Sequence, residues 1–250
     1  MTAFEEKIKS AGTEIWCSYS TQVSSPDLYV IILTGDGVSG TQSSSWGPLV
    51  KKLVEHNLGV LQFDFISQGK SSGDRANLNI KTGIANFNDA MNFFMKKLNM
   101  KKTVAIGSSF GATVLLHSEW LPHFHHLILK SPAINLMEVW ENEHLNFGNI
   151  ERWQERGISE ISGLSFDAYR LACEVNAYGN LCSIKCPVTV IHGDEDEFSP
   201  VTQSKRLTLL LGKKCELVIL SGVRHDYKQN NALTSFADIV CDRLSKEIIE

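Results

Sequence analysis

Short apolar runs alternate with longer helical patterns along most of this chain, and this alternation constrains the fold more than any other feature. Runs typical of buried strands occupy residues 27–33, 58–65, 101–108, 126–132, 187–194 and 215–222. Helical spacing of apolar residues occupies residues 46–57, 80–99, 200–212 and 232–249. Because strands separated by helices form crossover units, the pattern predicts an α/β fold with a parallel sheet. Two segments of period-two alternation around Ala11 and Gly12 predict an opening hairpin.

The charge and composition of the chain exclude several classes of partner. The 250 residues carry a formal net charge of −4, so no broad basic field is available for nucleic acid or anionic lipid. No apolar run approaches the ~18 residues that a membrane span requires, and "MTAFEEKIKS" lacks the order of a signal peptide. The six cysteines include no complete zinc-ligand set, so reduced thiols, no metal and a cytoplasmic location are expected.

Residues 133–186 interrupt the regular alternation. They separate two strand-like runs by far more residues than a simple crossover needs, and nothing at their edges resembles a linker. We therefore expect an insertion within a single domain spanning 1–250, placed over the carboxyl edge of the sheet. Its aromatic residues either line an acyl pocket or anchor the insertion to the body, and the sequence leaves both possibilities open. These residues are Trp140, Phe147, Trp153 and Phe166.

The stretch "GSSFG" (107–111) fits the pattern G-x-S-x-G in an informative context. An apolar strand ends at Gly107, and a helical pattern runs from near Gly111 to the proline at position 122. This strand–turn–helix setting is what a nucleophile elbow requires, because the turn exposes the serine hydroxyl. The sequence therefore predicts Ser109 as a nucleophile. The N–H of Phe110, at the helix start, is a predicted donor to a developing oxyanion.

A serine hydroxyl needs a base and an orienting acid. In α/β folds with a nucleophile elbow, both residues follow the serine along the chain. Among the histidines well after the serine helix, only His225 also follows a carboxylate at a strand end, so it is the predicted base. The acid is expected after the strand at 187–194. Four carboxylates compete there, and spacing alone does not choose among Asp194, Glu195, Asp196 and Glu197.

Two further motifs carry a family resemblance. "HGDEDEFSP" (192–200) is similar to H-G-x-x-D-x-x-V-P, and "DFISQGKSSG" (64–73) is similar to D-x-x-G-x-G-x-S-x-G. The chain resembles the α/β-hydrolase serine esterase/lipase group that includes the small-capped cinnamoyl and feruloyl esterases. The resemblance implies the α/β-hydrolase fold, a mostly parallel twisted sheet with helices on both faces and a small cap insertion. It also implies Asp196 as the acid, with Asp194 as second choice.

The loop "LTGDGVSG" (33–40) departs from that group. The group has a histidine and a glycine here, whereas this chain has Thr34 in the histidine position and Asp36 where the second oxyanion donor is expected. A backbone N–H does not depend on its side chain, so Asp36 can still donate. Its carboxylate would oppose a developing oxyanion unless it points away or is neutralised, so one possibility is that Asp36 faces solvent or caps the loop. The other possibility is a slow enzyme, or one that selects substrates bearing a positive or hydrogen-bond-donating group.

These features predict a serine hydrolase that cleaves small-molecule esters of small to medium acyl groups through an acyl-enzyme on Ser109. No cofactor is required. The main alternative is an acyl thioesterase with the same three residues, and a non-catalytic binding protein on a hydrolase scaffold is a further one. An aminopeptidase is less favoured, because the sequence alone reveals no acidic pair for an N-terminal amine. The sequence does not predict an oligomeric state.

Overall fold

The computed structural model describes residues 2–147 and 149–249, with side chains described for residues 4–145 and 149–245. Eight strands form one sheet in the order β1-β2-β4-β3-β5-β6-β7-β8. The pairs β1–β2 and β2–β4 are antiparallel, and the remaining neighbours are parallel. The strands are β1 Thr2–Ser10, β2 Thr13–Ser20, β3 Leu28–Leu33, β4 Gly59–Phe63, β5 Lys102–Ser108, β6 His126–Lys130, β7 Val188–Gly193 and β8 Cys215–Leu220.

Helices cover both faces of this sheet, as the resemblance implied. Neighbouring strand residues Ile31 and Ile32 belong to two different apolar clusters, one on each face. Helices α1 and α8 pack on the Ile32 face, and α2, α3 and α7 pack on the Ile31 face. The helices are α1 Gly47–Glu55, α2 Ile80–Lys97, α3 Phe110–His117, α4 Leu136–Phe147, α5 Ile150–Arg156, α6 Phe166–Cys173, α7 Val201–Leu211 and α8 Ala232–Ile249.

Most predicted elements lie where expected, and one helix is shorter. The hairpin turns at Ala11 and Gly12, whose φ angles of 47° and 79° suit a two-residue connection between antiparallel strands. Helix α3 ends at His117, although the sequence predicted that it would continue to the proline at position 122. The next residue, Ser118, is extended, and its hydroxyl accepts a hydrogen bond from the Trp120 N–H at 3.0 Å. This local bond competes with helix continuation.

The segment between β6 and β7 folds onto itself and onto the carboxyl edge of the sheet. It contains α4, α5, α6 and a short 3-10 stretch, Ala177–Ser183. Inside it, the Trp153 indole donates to the Leu164 carbonyl at 2.9 Å, and the ring of His144 stacks on Trp153 with centroids 4.5 Å apart. We call residues 133–186 the β6–β7 segment. No helix in the described part of the chain is both long and apolar enough to cross a bilayer.

Candidate active site

A cavity of about 430 Å³ opens at the carboxyl edge of the parallel strands. Since the loops that follow parallel strands meet at this edge, residues distant in sequence share one wall. Ser109 and His225 both line the cavity, together with residues of α4 and of the loop after β3. Further lining residues include Thr34, Gly35, Asp36, Ser43, Ser45, Trp46, Lys130, Trp140, Glu143, Phe198, Asp226 and Lys228.

Ser109 occupies a strained turn between β5 and α3. Its backbone adopts φ 48° and ψ −118°, a conformation that L-residues rarely take. The flanking glycines are required by close packing: a Cβ on Gly107 would lie 2.9 Å from the Ala112 Cα, and one on Gly111 would lie 2.4 Å from the Thr34 oxygen. The Ser109 N–H donates to the Lys130 carbonyl at 3.1 Å. This geometry has the features that the G-x-S-x-G context predicted.

Two backbone N–H groups beside the serine are available to an oxyanion. Neither the Phe110 N–H nor the Asp36 N–H donates to another residue in the described part of the chain. The loop that carries Asp36 is close to the serine, because a Cβ placed on Gly35 would lie 3.4 Å from the Ser109 Cβ. Phe110 begins α3, where unpaired N–H groups and the helix dipole favour negative charge. Asp36 lines the cavity, and Phe110 directly follows Ser109, which lines it too.

His225 and Asp196 are hydrogen-bonded, although 29 positions separate them in the chain. The Nδ1 of His225 lies 2.8 Å and 2.9 Å from the two carboxylate oxygens of Asp196. The Asp196 side chain is fully buried, and its Oδ1 also accepts the N–H groups of Phe198 and Ser199 at 3.0 and 2.8 Å. Asp194 instead accepts the Gly222 N–H and is exposed. Of the competing carboxylates, Asp196 is therefore the one that contacts the His225 ring.

A second histidine supports Asp196, and the sequence analysis did not assign it a role. Within the described residues, the Nε2 of buried His192 lies 3.2 Å from Asp196 Oδ2 and 2.9 Å from the Ser199 carbonyl, while its Nδ1 lies 2.7 Å from the Ser204 hydroxyl. A neutral ring protonated at Nε2 satisfies all three contacts. Burial alone would raise the pKa of Asp196, but hydrogen bonds from His192 and His225 hold that pKa well below its usual value. Asp196 therefore stays ionised.

The serine hydroxyl faces the cavity without a protein partner. Among the described residues, the Ser109 Oγ makes no hydrogen bond, either to His225 or to any other group. Ser109 is 7% exposed, and the His225 side chain is 20% exposed on the same cavity. A catalytic serine–histidine hydrogen bond is often long in a protein without substrate and tightens when substrate binds. The two groups share one wall of the cavity.

Asp36 is neither solvent-facing nor a loop cap, because its carboxylate contacts the β6–β7 segment. The Trp140 indole N–H donates to Asp36 Oδ2 at 3.0 Å, and the Arg75 guanidinium donates to the Asp36 carbonyl. Glu143 of α4 lines the same cavity. Burial, followed by the charge of Asp36, raises the pKa of Glu143 to about 8, although Arg75 opposes this shift. The structure thus unites an acidic pair, Asp36 and Glu143, that was not recognisable in the sequence.

The aromatic residues predicted for substrate contact have different positions. Trp140 lines the cavity, and its ring stacks on that of Phe110 with centroids 6.4 Å apart. Trp153 and Phe166 contact each other inside the β6–β7 segment, with centroids 5.8 Å apart, and neither belongs to the described cavity wall. Their ring contacts are with residues of the β6–β7 segment itself. The Phe147 side chain lies outside the described residues.

A buried carboxylate joins the loop after β3, which lines the cavity, to the loop after β4. Asp64 accepts hydrogen bonds from the N–H and hydroxyl of Thr41, both at 2.7 Å, and from the Lys70 N–H at 2.9 Å. Thr41 follows β3 and Lys70 follows β4, so Asp64 ties the loops after both strands together. Within the described residues, no group of three or more metal-ligating side chains is arranged to hold a metal ion.

Comparisons with solved structures identify the fold. Est1E from Butyrivibrio proteoclasticus, solved with ferulic acid bound, superposes with a TM-score of 0.83 at 21% identity, covering 98% of this chain and 100% of that one. The Pyrococcus furiosus esterase Pf2001 gives a TM-score of 0.73 at 19% identity, covering 97% and 89%. Mouse alpha/beta hydrolase domain-containing protein 10 gives 0.74 at 14% identity, covering 98% and 99%.

One curated relative matches part of the chain. The non-heme haloperoxidase of Rhodococcus erythropolis is 26% identical over 93 residues, which are 37% of this chain and 34% of the relative's length. The match thus spans about a third of that relative. Together, the superpositions on solved structures show that the chain has the α/β-hydrolase fold. Residues 76–240, about two thirds of the sequence, match the Peptidase_S9 family, and the chain belongs to this prolyl oligopeptidase family.

Proposed function

We propose that this chain is a serine esterase in which Ser109 is the nucleophile, His225 the base and Asp196 the orienting acid. The observation that carries the proposal is the bond between the His225 Nδ1 and the buried Asp196 carboxylate, on the wall of a cavity that also holds Ser109 on its strained turn. With Nδ1–H donated to Asp196, the Nε2 of His225 is left as the acceptor that a base requires.

In the proposed mechanism, His225 removes the Ser109 proton as Oγ attacks the ester carbonyl. The N–H groups of Phe110 and Asp36 stabilise the resulting oxyanion, while ionised Asp196 stabilises the imidazolium. The tetrahedral intermediate then expels the alcohol, which takes the proton from His225, and an acyl-enzyme remains on Ser109. Water, activated by His225 in the same way, releases the acid. The three side chains and two backbone donors supply all the proton transfers and charge stabilisation that this sequence needs.

We further propose that the β6–β7 segment acts as a small cap within a single domain spanning 1–250. Trp140 supports this role, since its indole contacts both the Asp36 carboxylate and the Phe110 ring beside the nucleophile. The cavity volume of about 430 Å³ suits esters of small to medium acyl groups, and Trp140 would contact the substrate. Trp153 and Phe166 would act on substrate only through the position of Trp140.

Labelling with a fluorophosphonate tests the nucleophile directly. We expect stoichiometric modification of the folded protein at Ser109, with no modification of Ser109→Ala and full modification of the neighbouring variant Ser108→Ala. Hydrolysis of matched oxygen and thio esters then separates an esterase from an acyl thioesterase with the same residues. Absence of labelling in a folded wild-type protein would contradict the proposal and favour a non-catalytic binding protein.

A peptidase activity is the second candidate, and the acidic pair Asp36 and Glu143 in the cavity favours it. Two carboxylates can hold the ammonium of an N-terminal amino acid. Arg75 beside the pair and the raised pKa of Glu143 reduce their joint charge near neutral pH, so we place the esterase first. Aminoacyl arylamides tested beside aryl esters of the same acyl groups distinguish the two activities. Faster cleavage of the amides, lost in Glu143→Gln, would reverse the order.

A further inference from the structure

Lys130, the last residue of β6, is a lysine buried in the wall of the candidate active site. Its side chain is on the same face of the sheet as α1 and α8, and only 7% of the residue is exposed. It lines the cavity beside Ser108, Ser109 and His225. Its ammonium lies 3.8 Å from the centroid of the Tyr227 ring. The proposed ester hydrolysis makes no use of this cation.

The ammonium of Lys130 has more donors than acceptors. It carries three N–H groups, yet within the described residues it makes one hydrogen bond, a long one of 3.4 Å to the His225 carbonyl. The neighbouring carboxylates are engaged elsewhere. Asp196 bonds His192 and His225, and Asp226 pairs with Lys228 at 3.0 Å. At least one N–H of Lys130 therefore has no acceptor among the described residues.

A buried ammonium with a single long hydrogen bond is costly, because its lost hydration is only partly replaced. Burial lowers the pKa of Lys130 to about 8, although the charges of Asp196 and Asp226 oppose the shift. An anionic oxygen that enters the cavity would accept hydrogen bonds from the unused N–H groups of Lys130. These bonds would offset the hydration that the ammonium loses on burial. Ser43 and Ser45 line the same cavity, and their hydroxyls are hydrogen-bonded to each other at 2.9 Å.

The position of Lys130 also indicates which part of the substrate carries the anion. In ester hydrolysis the histidine protonates the leaving oxygen, so the alcohol portion lies on the His225 side of the serine. Lys130 contacts His225 and is therefore on this side. Asp36 lines the cavity on the oxyanion loop, and its carboxylate would repel an anionic acyl group there.

We propose that Lys130 binds an anionic oxygen group, such as a carboxylate, on the alcohol portion of the ester substrate. The inference rests on the proposed esterase function and adds its substrate class. Lys130 is a specificity-determining residue in this scheme, since its ammonium contacts the substrate away from the reacting bond. The other cavity lysine, Lys228, is exposed and paired with Asp226, so it contributes little.

The first test compares 4-acetoxybenzoate with its neutral analogue 4-acetoxybenzamide, each rate being corrected for the alkaline hydrolysis of that ester. We expect wild-type kcat/KM to favour the carboxylate by about tenfold or more. In Lys130→Met the preference should fall to about twofold or less, and Lys228→Met should retain it. Because the preference is a ratio, a general loss of activity in Lys130→Met does not affect it. Equal ratios in wild type and Lys130→Met would overturn the inference.

The second test needs no turnover. Calorimetry with 4-hydroxybenzoate on Ser109→Ala should give a Kd about tenfold tighter than on Ser109→Ala/Lys130→Met, with 4-hydroxybenzamide binding both equally. Equal carboxylate binding to the two variants would overturn the inference even if no ester were cleaved. Conversely, Lys130-dependent binding without Ser109-dependent hydrolysis would support the anion site and reject the esterase. The two proposals therefore fail separately.

Discussion

The indole N–H of Trp140 donates a hydrogen bond of 3.0 Å to the carboxylate of Asp36. This bond joins the β6–β7 segment to the loop whose N–H is a proposed oxyanion donor. It also gives the Asp36 carboxylate a hydrogen-bond donor within the protein. The departure of this loop from the esterase pattern is thus accommodated by a contact within the protein.

Replacement of Asp36 by asparagine is expected to change kcat by less than about threefold, because the amide oxygen can still accept from Trp140. Asp36→Ala removes that acceptor and leaves the buried indole N–H unpaired, so we expect a larger loss, of about tenfold. Steady-state kinetics on one chromogenic ester measures both effects. A substantial rise of kcat in Asp36→Asn would instead indicate that the carboxylate opposes the oxyanion.

Asp196→Asn should reduce kcat by about three to four orders of magnitude, since the amide favours the wrong tautomer of the base. Asp194→Asn is the matched control. It changes the same atoms two positions away, where the side chain accepts only the Gly222 N–H, and we expect activity near that of wild type. Similar losses in the two variants would mean that the acid has been wrongly assigned.

Glu143→Gln should stabilise the protein more at pH 8.5 than at pH 5. The pKa of Glu143 is raised from 4.5 to about 8, so the folded protein binds this proton more tightly than the unfolded chain does. Ionising Glu143 lowers the free energy of unfolding. This loss is absent below pH 4.5, the pKa of the unfolded chain, grows between pH 4.5 and about 8, and is complete above about 8. Urea unfolding should show a difference of about 1–3 kcal/mol between the two pH values.

Glu151→Gln is the control for this measurement, because Glu151 is an exposed residue of the neighbouring helix α5. Its substitution should change the unfolding free energy equally at both pH values. An effect of Glu143→Gln that does not vary with pH would contradict a burial-driven shift.

Gly111→Ala should destabilise the fold by about 3 kcal/mol or prevent folding, because the added methyl would meet backbone atoms that cannot move aside. That Cβ would lie 2.4 Å from the Thr34 oxygen and 2.5 Å from the Leu33 oxygen. At Gly179 an added Cβ meets no atom within 4 Å, so Gly179→Ala should be nearly neutral. Thermal unfolding of the pair measures the difference, and equal melting temperatures would refute the packing argument.

The sheet and its helices were predictable because their signals are local. Continuous apolar runs and helical spacing identify the strands and helices within a few residues, and the strained serine turn is encoded within Gly107–Gly111. Helix α3 shows the limit of such signals. It ends before the proline, since the Ser118 hydroxyl bonds the Trp120 N–H, and that competition is not visible in the apolar pattern.

The polar groups around the serine were less predictable, because their neighbours come from distant parts of the chain. Lys130 ends an apolar strand, where a lysine is normally solvated, and its burial depends on Tyr227 from the loop after β8. Glu143 is one of several glutamates in an amphipathic stretch, and only the placement of α4 decides which of them faces the cavity. His192 was visible as part of a motif, yet its support of Asp196 depends on how the following loop folds back.

The turn at Ser109 determines what would follow if this serine were replaced by another nucleophilic residue. Residue 109 is held through its own main chain, whose N–H donates to the Lys130 carbonyl and whose carbonyl accepts from Ala112 and Ala133. Its side chain contributes no bond to this anchoring within the described residues. A cysteine at position 109 would therefore hold its thiol where the serine holds its hydroxyl. The backbone conformation, and not the side-chain atom, determines where the reactive atom lies.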